Sequence, residues 1–387
     1  MKKKIAILGS TGSIGKSTID LIKKDKDKFE VVLLTSHKNI KELDKQIKIF
    51  KVKNLIITEN KSYLYFKKKY KNSKIKIFNS YKNLNYILNK RIDYTMSSIS
   101  GLTGLEPTLK IIKKTKIIAI ANKESIICGW DLIKKELKKY KTEFIPVDSE
   151  HFSIWSLIKN VNQNLIDKIY ITASGGPFLN WPLKKIMKAT PSNALKHPNW
   201  SMGEKISIDS ATMMNKVFEV IETQRIFGLS KSKIKILVHD KSYVHAIVKL
   251  KNGINKILAH DTNMKIPIFN SIYHNTNKSF KSKELDIKKL NNLNLKNINV
   301  RQFPFLKILK IIPNMNTLFE TVVVSANDEL VNLFLKKKIN YSQFQKKLLS
   351  IINLKEFQAY KKKKPINIKE ISRLNNYVRL KIRELCI

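Results

Sequence analysis

The chain is short of cysteine, of arginine and of long apolar runs, and each shortage removes a class of protein. Its two cysteines, Cys128 and Cys386, lie far apart with no CxxC spacing. That excludes a disulfide framework and points to a reduced, cytoplasmic protein. Behind Met1-Lys2-Lys3-Lys4 the apolar stretch is only Ile5 to Leu8 before Gly9, too short for a signal h-region. No run of membrane-spanning length follows, so no membrane partner is expected. Arginine supplies only six of the 75 basic residues. A formal net charge of +45 ordinarily indicates a nucleic-acid partner. Base and phosphate readers rely on Arg forks, however, and here lysines are spread among Ile and Asn instead of gathering in one arm. No nucleic-acid partner is expected. The lysine excess is read as a drift of the source proteome toward Lys, Ile and Asn, and its field would help steer an anionic substrate.

What is present is enough for more than one core: 387 residues, 43% of them apolar. Up to about residue 150, β-branched runs alternate with helical stretches, beginning with Lys4 to Leu8 and ending with Phe144 to Val147. That alternation predicts a doubly wound parallel sheet. Beyond it the texture becomes α+β. A strand over Lys168 to Thr172 and a Gly175-Gly176-Pro177 break precede a helix over Ser210 to Phe227. Three runs between Ile234 and Ala259 read as antiparallel strands, with Asn252-Gly253 as a hairpin turn. After about residue 275 a polar stretch reads as linker, and from Phe305 the periodicity is helical. The expected organisation is a dinucleotide-binding domain over 1–150, a catalytic domain over 151–275, a linker over 276–304 and a helical domain over 305–387.

The most informative segment is Pro146-Val147-Asp148-Ser149-Glu150-His151. Following the short strand Phe144 to Val147 in an extended backbone, Asp148 and Glu150 would share a face. Two close carboxylates need a counter-charge. A hard divalent cation, Mg²⁺ or Mn²⁺, is the natural one, a solvated acidic turn the alternative. The segment from Ser207 to Glu219 tips the balance toward metal, because it adds a hydroxyl, an amide, an ammonium and a third carboxylate. Glu219 stands four residues from Asn215 and three from Lys216, on one helical face.

At the start of the chain, Gly9-Ser10-Thr11-Gly12-Ser13-Ile14-Gly15 joins a strand to a helix. Glycines there let the backbone approach a pyrophosphate, and the helix start supplies amide donors. After the second strand come Ser36-His37-Lys38-Asn39, with no acidic residue to bond a ribose 2′-hydroxyl. Hydroxyl, imidazole and ammonium suit a 2′-phosphate, so NADPH is preferred over NADH. A solvated loop in a lysine-rich chain is the alternative.

Six ordered motifs carry a family resemblance over residues 1 to about 270. They are the Gly9–Gly15 turn, Ala121-Asn122-Lys123-Glu124-Ser125, Pro146–His151, Ser174-Gly175-Gly176-Pro177-Phe178, His197-Pro198-Asn199-Trp200-Ser201-Met202-Gly203, and Asp209–Lys216. Together they resemble the 1-deoxy-D-xylulose 5-phosphate reductoisomerase family; the helical C-terminal part matches loosely. The resemblance implies an α/β protein with an N-terminal Rossmann-like parallel sheet, a central α+β catalytic domain and a C-terminal helical domain. It implies NADPH- and metal-dependent conversion of 1-deoxy-D-xylulose 5-phosphate to 2-C-methyl-D-erythritol 4-phosphate, a step of non-mevalonate isoprenoid biosynthesis. A skeletal rearrangement yields a branched aldehyde, which hydride then reduces.

Residue by residue, the resemblance makes Asp148, Glu150 and Glu219 the metal ligands and, with Lys123, the catalytic set. Lys123 and Ser149 would contact the substrate's oxygenated carbons. Ser174, Ser210, Asn215 and Lys216 would hold its phosphate. The loop His197 to Gly203 resembles a closing lid, with Trp200 over the substrate. Thr11, Gly12, Ser13 and Ile14 would contact the cofactor, as would His37, Lys38, Asn39, Asn122, Glu124 and Gly203. A homodimer is implied. There are departures: His37 stands where the family commonly has Gly, as do Val217 and Ala173. Two readings compete. A metal-independent NADP-dependent dehydrogenase of a phosphorylated polar substrate would survive EDTA. A basic nucleic-acid-binding protein with a vestigial dinucleotide domain would lose affinity steeply with salt and would leave the three carboxylates unexplained.

Overall fold

The β-branched runs of the first 150 residues form seven strands: β1 (Lys3–Leu8), β2 (Phe29–Ser36), β3 (Asn54–Ile57), β4 (Lys76–Phe78), β5 (Ile92–Ser97), β6 (Thr115–Ile120) and β7 (Glu143–Pro146). The structure, a computed structural model, describes residues 2–386. All seven strands are parallel, in the order β4-β3-β2-β1-β5-β6-β7. Winding therefore reverses between β1 and β5, where open sheets of this kind hold their ligands. In β1, Ile5, Ala6, Ile7 and Leu8 are fully buried, as befits a central strand covered on both faces.

Two compact units organise the chain, and the first combines Met1–Ser125, Leu132–Phe152 and Asn263–Lys281. The last segment contributes the helix Lys265–Ile272 to the sheet's apolar layer, where Ile268, Phe269 and Ile272 join Ile5, Tyr94 and Met96. Polar contacts fix its position: Lys3 Nζ donates to the Ile272 carbonyl at 2.6 Å, and the Tyr94 and Ser271 hydroxyls are 2.7 Å apart.

The second unit comprises Ile126–Asp131, Ser153–Thr262 and Ser282–Ile387. Its sheet contains β8 (Ile166–Ala173), β9 (Ile234–Val238), β10 (Val244–Leu250), β11 (Asn255–Ala259) and β12 (Lys296–Asn297), in the order β11-β10-β8-β9-β12. The expected antiparallel arrangement holds for β10 against β8 and β11, but β9 runs parallel to β8. The reason is the long helical crossover between them, which lets the chain re-enter in the same direction. Strand β12 comes from the stretch read as linker and pairs with β9. Gly253 closes the β10–β11 hairpin at φ 87°.

The expected helix over Ser210 to Phe227 is two helices, Glu204–Ala211 and Met214–Phe227. Met213, at φ 62°, breaks the chain between them, a conformation that costs a non-glycine residue and so marks a point the surroundings dictate. The C-terminal periodicity appears as the helices Phe319–Leu335, Tyr341–Ile352 and Ile368–Cys386. Phe334, Tyr341 and Phe344 sit ring against ring between the first two. Among the described residues, no helix is long and apolar enough to cross a membrane.

Candidate active site

At the end of β1 the chain turns at Gly9, with φ +79°. A Cβ there would lie 2.8 Å from the Ser98 carbonyl oxygen behind β5, and one on Gly15 only 2.4 Å from the Gly9 oxygen. Both positions demand glycine because backbone meets backbone. The helix Ser13–Lys23 starts from Gly12 with no side-chain cap and no acidic residue in its first turn. Its leading amides are left for an anion, the physical requirement for a pyrophosphate cradle. Thr11 ties the turn to the end of β2 through a 2.9 Å bond to the Ser36 hydroxyl. Beyond Ser36, His37 Nδ1 bonds the Thr58 hydroxyl at 2.9 Å, and Asn39 caps the helix Ile40–Phe50 by accepting from Glu42 N at 3.2 Å. Between them, Lys38 is exposed. The residues present thus fit a phosphorylated dinucleotide.

The acidic motif lies at the end of β7, but not on a strand. The helix Ser149–Ile158 begins inside it, which corrects the expected extended pairing of Asp148 with Glu150. Asp148 stands before the helix: its carbonyl accepts from Phe152 N at 2.8 Å and its Oδ1 from Glu150 N at 3.3 Å. Short side chains that cap in this way favour helix over strand. The turn brings up His151, whose Nδ1 is 3.1 Å from Asp148 Oδ1, while Lys123 Nζ is 3.1 Å from Oδ2. Burial works to raise the Asp148 pKa, but the Lys123 ammonium and then His151 outweigh it, holding the carboxyl well below the usual range. Beside it, Ser149 donates to Glu150 Oε2 at 2.6 Å. An ionised oxygen donor poised in this way suits a hard divalent ion.

Lys123 opens the helix Lys123–Tyr140, directly after β6. The preceding Asn122 is committed to the turn: Oδ1 accepts from Ser125 N at 2.6 Å and Nδ2 donates to the Gly101 carbonyl at 2.7 Å. Glu124 is buried next to it. The Pro146–His151 motif contains His151, but composition alone gives it no role. The signal for it was the i,i+3 spacing from Asp148, which becomes visible only once the segment is read as helix.

In the second unit, β8 ends at Ala173 and Ser174-Gly175-Gly176 follows, with φ 85° and 64° at the glycines. A Cβ on Gly176 would sit 2.8 Å from the Ser210 carbonyl oxygen, so this loop lies directly on the end of the helix Glu204–Ala211. Ser174 Oγ accepts from Gly176 N at 3.1 Å and is 3.0 Å from His197 Nε2. His197 Nδ1 accepts two amides, Asn199 N at 3.1 Å and Trp200 N at 3.0 Å. Nδ1 therefore carries the lone pair and Nε2 the proton. With Ser174 Oγ accepting twice, its own proton is left to donate to a ligand oxygen. Burial pushes the His197 pKa down to about 4.

Along the helix Met214–Phe227, Asn215 Nδ2 and Lys216 Nζ both bond the buried Glu219 carboxylate, and Lys216 also reaches the Thr172 carbonyl of β8. This is the single face expected from the spacing. Trp200 lies edge-on to His245 with centroids 6.2 Å apart, and His245 stacks on His260 at 3.7 Å. Asn199, to which the sequence assigned no part, anchors the loop by donating to the Asp240 carbonyl and, at 2.9 Å, to the Ser242 hydroxyl. Gly203 precedes the next helix in open space.

A parallel sheet with a glycine cradle at its switch point, and with a half-buried lysine–carboxylate pair beyond its later strands, defines a nicotinamide-dinucleotide oxidoreductase that handles polar oxygen chemistry. Comparison with known proteins makes the family specific. A model described as 1-deoxy-D-xylulose 5-phosphate reductoisomerase matches residues 5–129, and models of that enzyme's C-terminal domains match 144–227 and 260–381. A 1-deoxy-D-xylulose 5-phosphate reductoisomerase of Pelagibacter ubique (strain HTCC1062) is 60% identical over 387 residues, all of both chains. The Zymomonas mobilis reductoisomerase, solved with NADPH, is 31% identical with a TM-score of 0.88, covering 100% of this chain and 99% of that one. A reductoisomerase solved with NADPH, fosmidomycin and magnesium is 28% identical with a TM-score of 0.90, covering 99% and 98%. The chain belongs to the 1-deoxy-D-xylulose 5-phosphate reductoisomerase family.

Proposed function

We infer that this protein converts 1-deoxy-D-xylulose 5-phosphate to 2-C-methyl-D-erythritol 4-phosphate, using NADPH and a divalent metal, in non-mevalonate isoprenoid biosynthesis. The observation that carries this reading over a metal-free dehydrogenase is Asp148, held ionised by Lys123 and His151 on the sheet that also bears the dinucleotide cradle. A hard cation suits such an oxygen donor, and the relatives of this chain include a reductoisomerase solved with NADPH and magnesium.

We assign Asp148, Glu150 and Glu219 as ligands of Mg²⁺ or Mn²⁺, all offering oxygen. When bound, the metal polarises the substrate's carbonyl and neighbouring hydroxyl. The ammonium of Lys123, close to those oxygens, stabilises developing negative charge while the carbon skeleton rearranges. Ser149 contacts the same part of the substrate. At the other end, Ser174 and Ser210 donate to the phosphate, helped by Asn215, Lys216 and His197. Trp200 closes over the substrate, excluding water while the aldehyde awaits hydride. The cradle of Thr11, Gly12, Ser13 and Ile14 holds the pyrophosphate, His37, Lys38 and Asn39 the 2′-phosphate, and Asn122, Glu124 and Gly203 the remainder of the cofactor. The chain works as a homodimer in the cytoplasm, a reading supported by the family alone.

The test is loss of nicotinamide absorbance on mixing protein, NADPH, Mg²⁺ and 1-deoxy-D-xylulose 5-phosphate. Turnover that stops with EDTA and returns with excess metal supports the proposal. Oxidation of NADPH that EDTA leaves untouched would instead establish the metal-free dehydrogenase.

A further inference from the structure

Ser210 lies on a helix with little stability of its own. Glu204–Ala211 has eight residues and begins at Gly203 without a side-chain cap, whereas helices this short are marginal unless tertiary contacts hold them. One buried group on it faces a partner from the C-terminal helices. Asp209 is 2% exposed, and its Oδ1 accepts from Asn327 Nδ2 at 2.7 Å. Asn327, fully buried, belongs to the helix Phe319–Leu335. The second oxygen of Asp209 meets Lys205 Nζ at 3.1 Å, and the same ammonium reaches Asp328 Oδ1 at 3.1 Å. Arg379, from the helix Ile368–Cys386, then bonds Asp328 Oδ2 at 2.9 Å.

These contacts fix the rotation of the short helix about its axis. Successive residues are about 100° apart on an α-helix, so pinning Asp209 determines where the Ser210 hydroxyl points. The lid loop enters this helix directly at Gly203, so the helix needs an anchor on its far side if the lid is to move. We propose that Asp209 is a positioning residue for substrate phosphate, and that Asn327 and Lys205 make the C-terminal helices the strut that aims Ser210. This rests on the reading of Ser210 as a phosphate donor.

The experiment is a steady-state cycle on the full-length enzyme with metal, comparing Asn327→Leu, Ser210→Ala and the double variant. Asn327→Leu is expected to raise KM for 1-deoxy-D-xylulose 5-phosphate about tenfold, the size of effect a lost hydrogen bond gives, with KM for NADPH unchanged. Ser210→Ala should raise the substrate KM alike, and the double variant should add little to either single change. Lys205→Met, at the partly exposed rim, carries the same cycle should Asn327→Leu not fold. Multiplicative effects, or an unchanged substrate KM in the strut variants beside a raised one in Ser210→Ala, would overturn the strut alone. An unchanged KM in Ser210→Ala would overturn the phosphate reading and the strut with it.

Discussion

The two units solve recognition in opposite ways. The dinucleotide cradle of the first is built from main chain: Gly9 and Gly15 are fixed by backbone oxygens, and the donors are amides at a helix start. The proposed substrate and metal groups of the second are side chains, with Ser174 oriented by His197 and Glu219 held by Asn215 and Lys216. A backbone site tolerates almost any side chain pointing away, but no extra atom at its closest approaches. A side-chain site tolerates shifts of backbone, but each group depends on a neighbour that orients it.

The sharpest break between the two comes from removing a proposed metal ligand. Glu219→Gln keeps the shape and the Asn215 bond but lowers the charge, so kcat should fall by roughly a thousandfold with KM for NADPH unchanged. Single-turnover rates at saturating Mg²⁺ test it. A near-normal rate would remove Glu219 from the ligand set and leave it a structural partner of Asn215 and Lys216.

The same contrast governs what could be read from sequence. Backbone sites announce themselves by glycine spacing, so Gly9, Gly12 and Gly15 were legible at once, and the parallel, doubly wound character of the sheet followed from alternating runs, though not the order of its strands. The acidic motif was legible in composition but not in conformation. Capping by Asp148 turned an expected strand into a helix, and with it His151 came to face the carboxylate. Met213 hid the break between the two helices around it, because nothing in a methionine signals positive φ. Asn327 and Lys205 carry no motif, and Asn199 sat within one without a part, since the partners of all three lie elsewhere in the chain.

Next in size is a pair of alanines within the cradle. Gly15→Ala puts a Cβ 2.4 Å from a carbonyl oxygen, with backbone on both sides unable to yield. It should destabilise the fold by about 2 kcal/mol or more and raise KM for NADPH steeply. Gly12→Ala meets only the Gly9 oxygen, at 3.4 Å, and should leave Tm nearly unchanged. Thermal melts of the two decide it; equal losses would mean that close approach is not what selects Gly15.

A smaller effect separates the units by pH. In the folded state His197 stays neutral down to about 4, whereas an unfolded histidine takes a proton near its ordinary value of 6.5. Below about pH 6.5 the unfolded chain therefore binds more protons, and stability falls as pH drops through the window between those values. Above it His197 contributes no slope. His197 should accordingly add no inflection of its own to substrate KM from neutral pH down through 6.5, beyond that of the substrate's phosphate with its second pKa of about 6, because Nε2 remains the only protonated nitrogen facing Ser174. A KM inflection near 6.5 that vanishes in His197→Gln would show an ordinary, solvated imidazole.

The smallest effect is expected between two C-terminal helices of the second unit, where Arg379 and Arg383 both grip Glu329. Glu329 is 2% exposed and Arg383 52%, with bonds of 2.7 and 3.3 Å from Arg383 and 3.1 Å from Arg379. Burial acts to raise the Glu329 pKa, but Arg383 and then Arg379 overcome it and hold the carboxyl below its ordinary value of 4.5. A depressed carboxylate contributes stability that is present above that value and lost as pH falls through the folded one. Arg383→Ala leaves Arg379 in place, so the loss should be about 1 kcal/mol, as for a partly exposed pair, with kcat unaltered. Melts at neutral pH and across the acid range check the sign: the gap between variant and parent should narrow as pH falls through the folded-state value of Glu329. A gap that widened there would mean that Arg383 stabilises through packing of its stem instead of through charge.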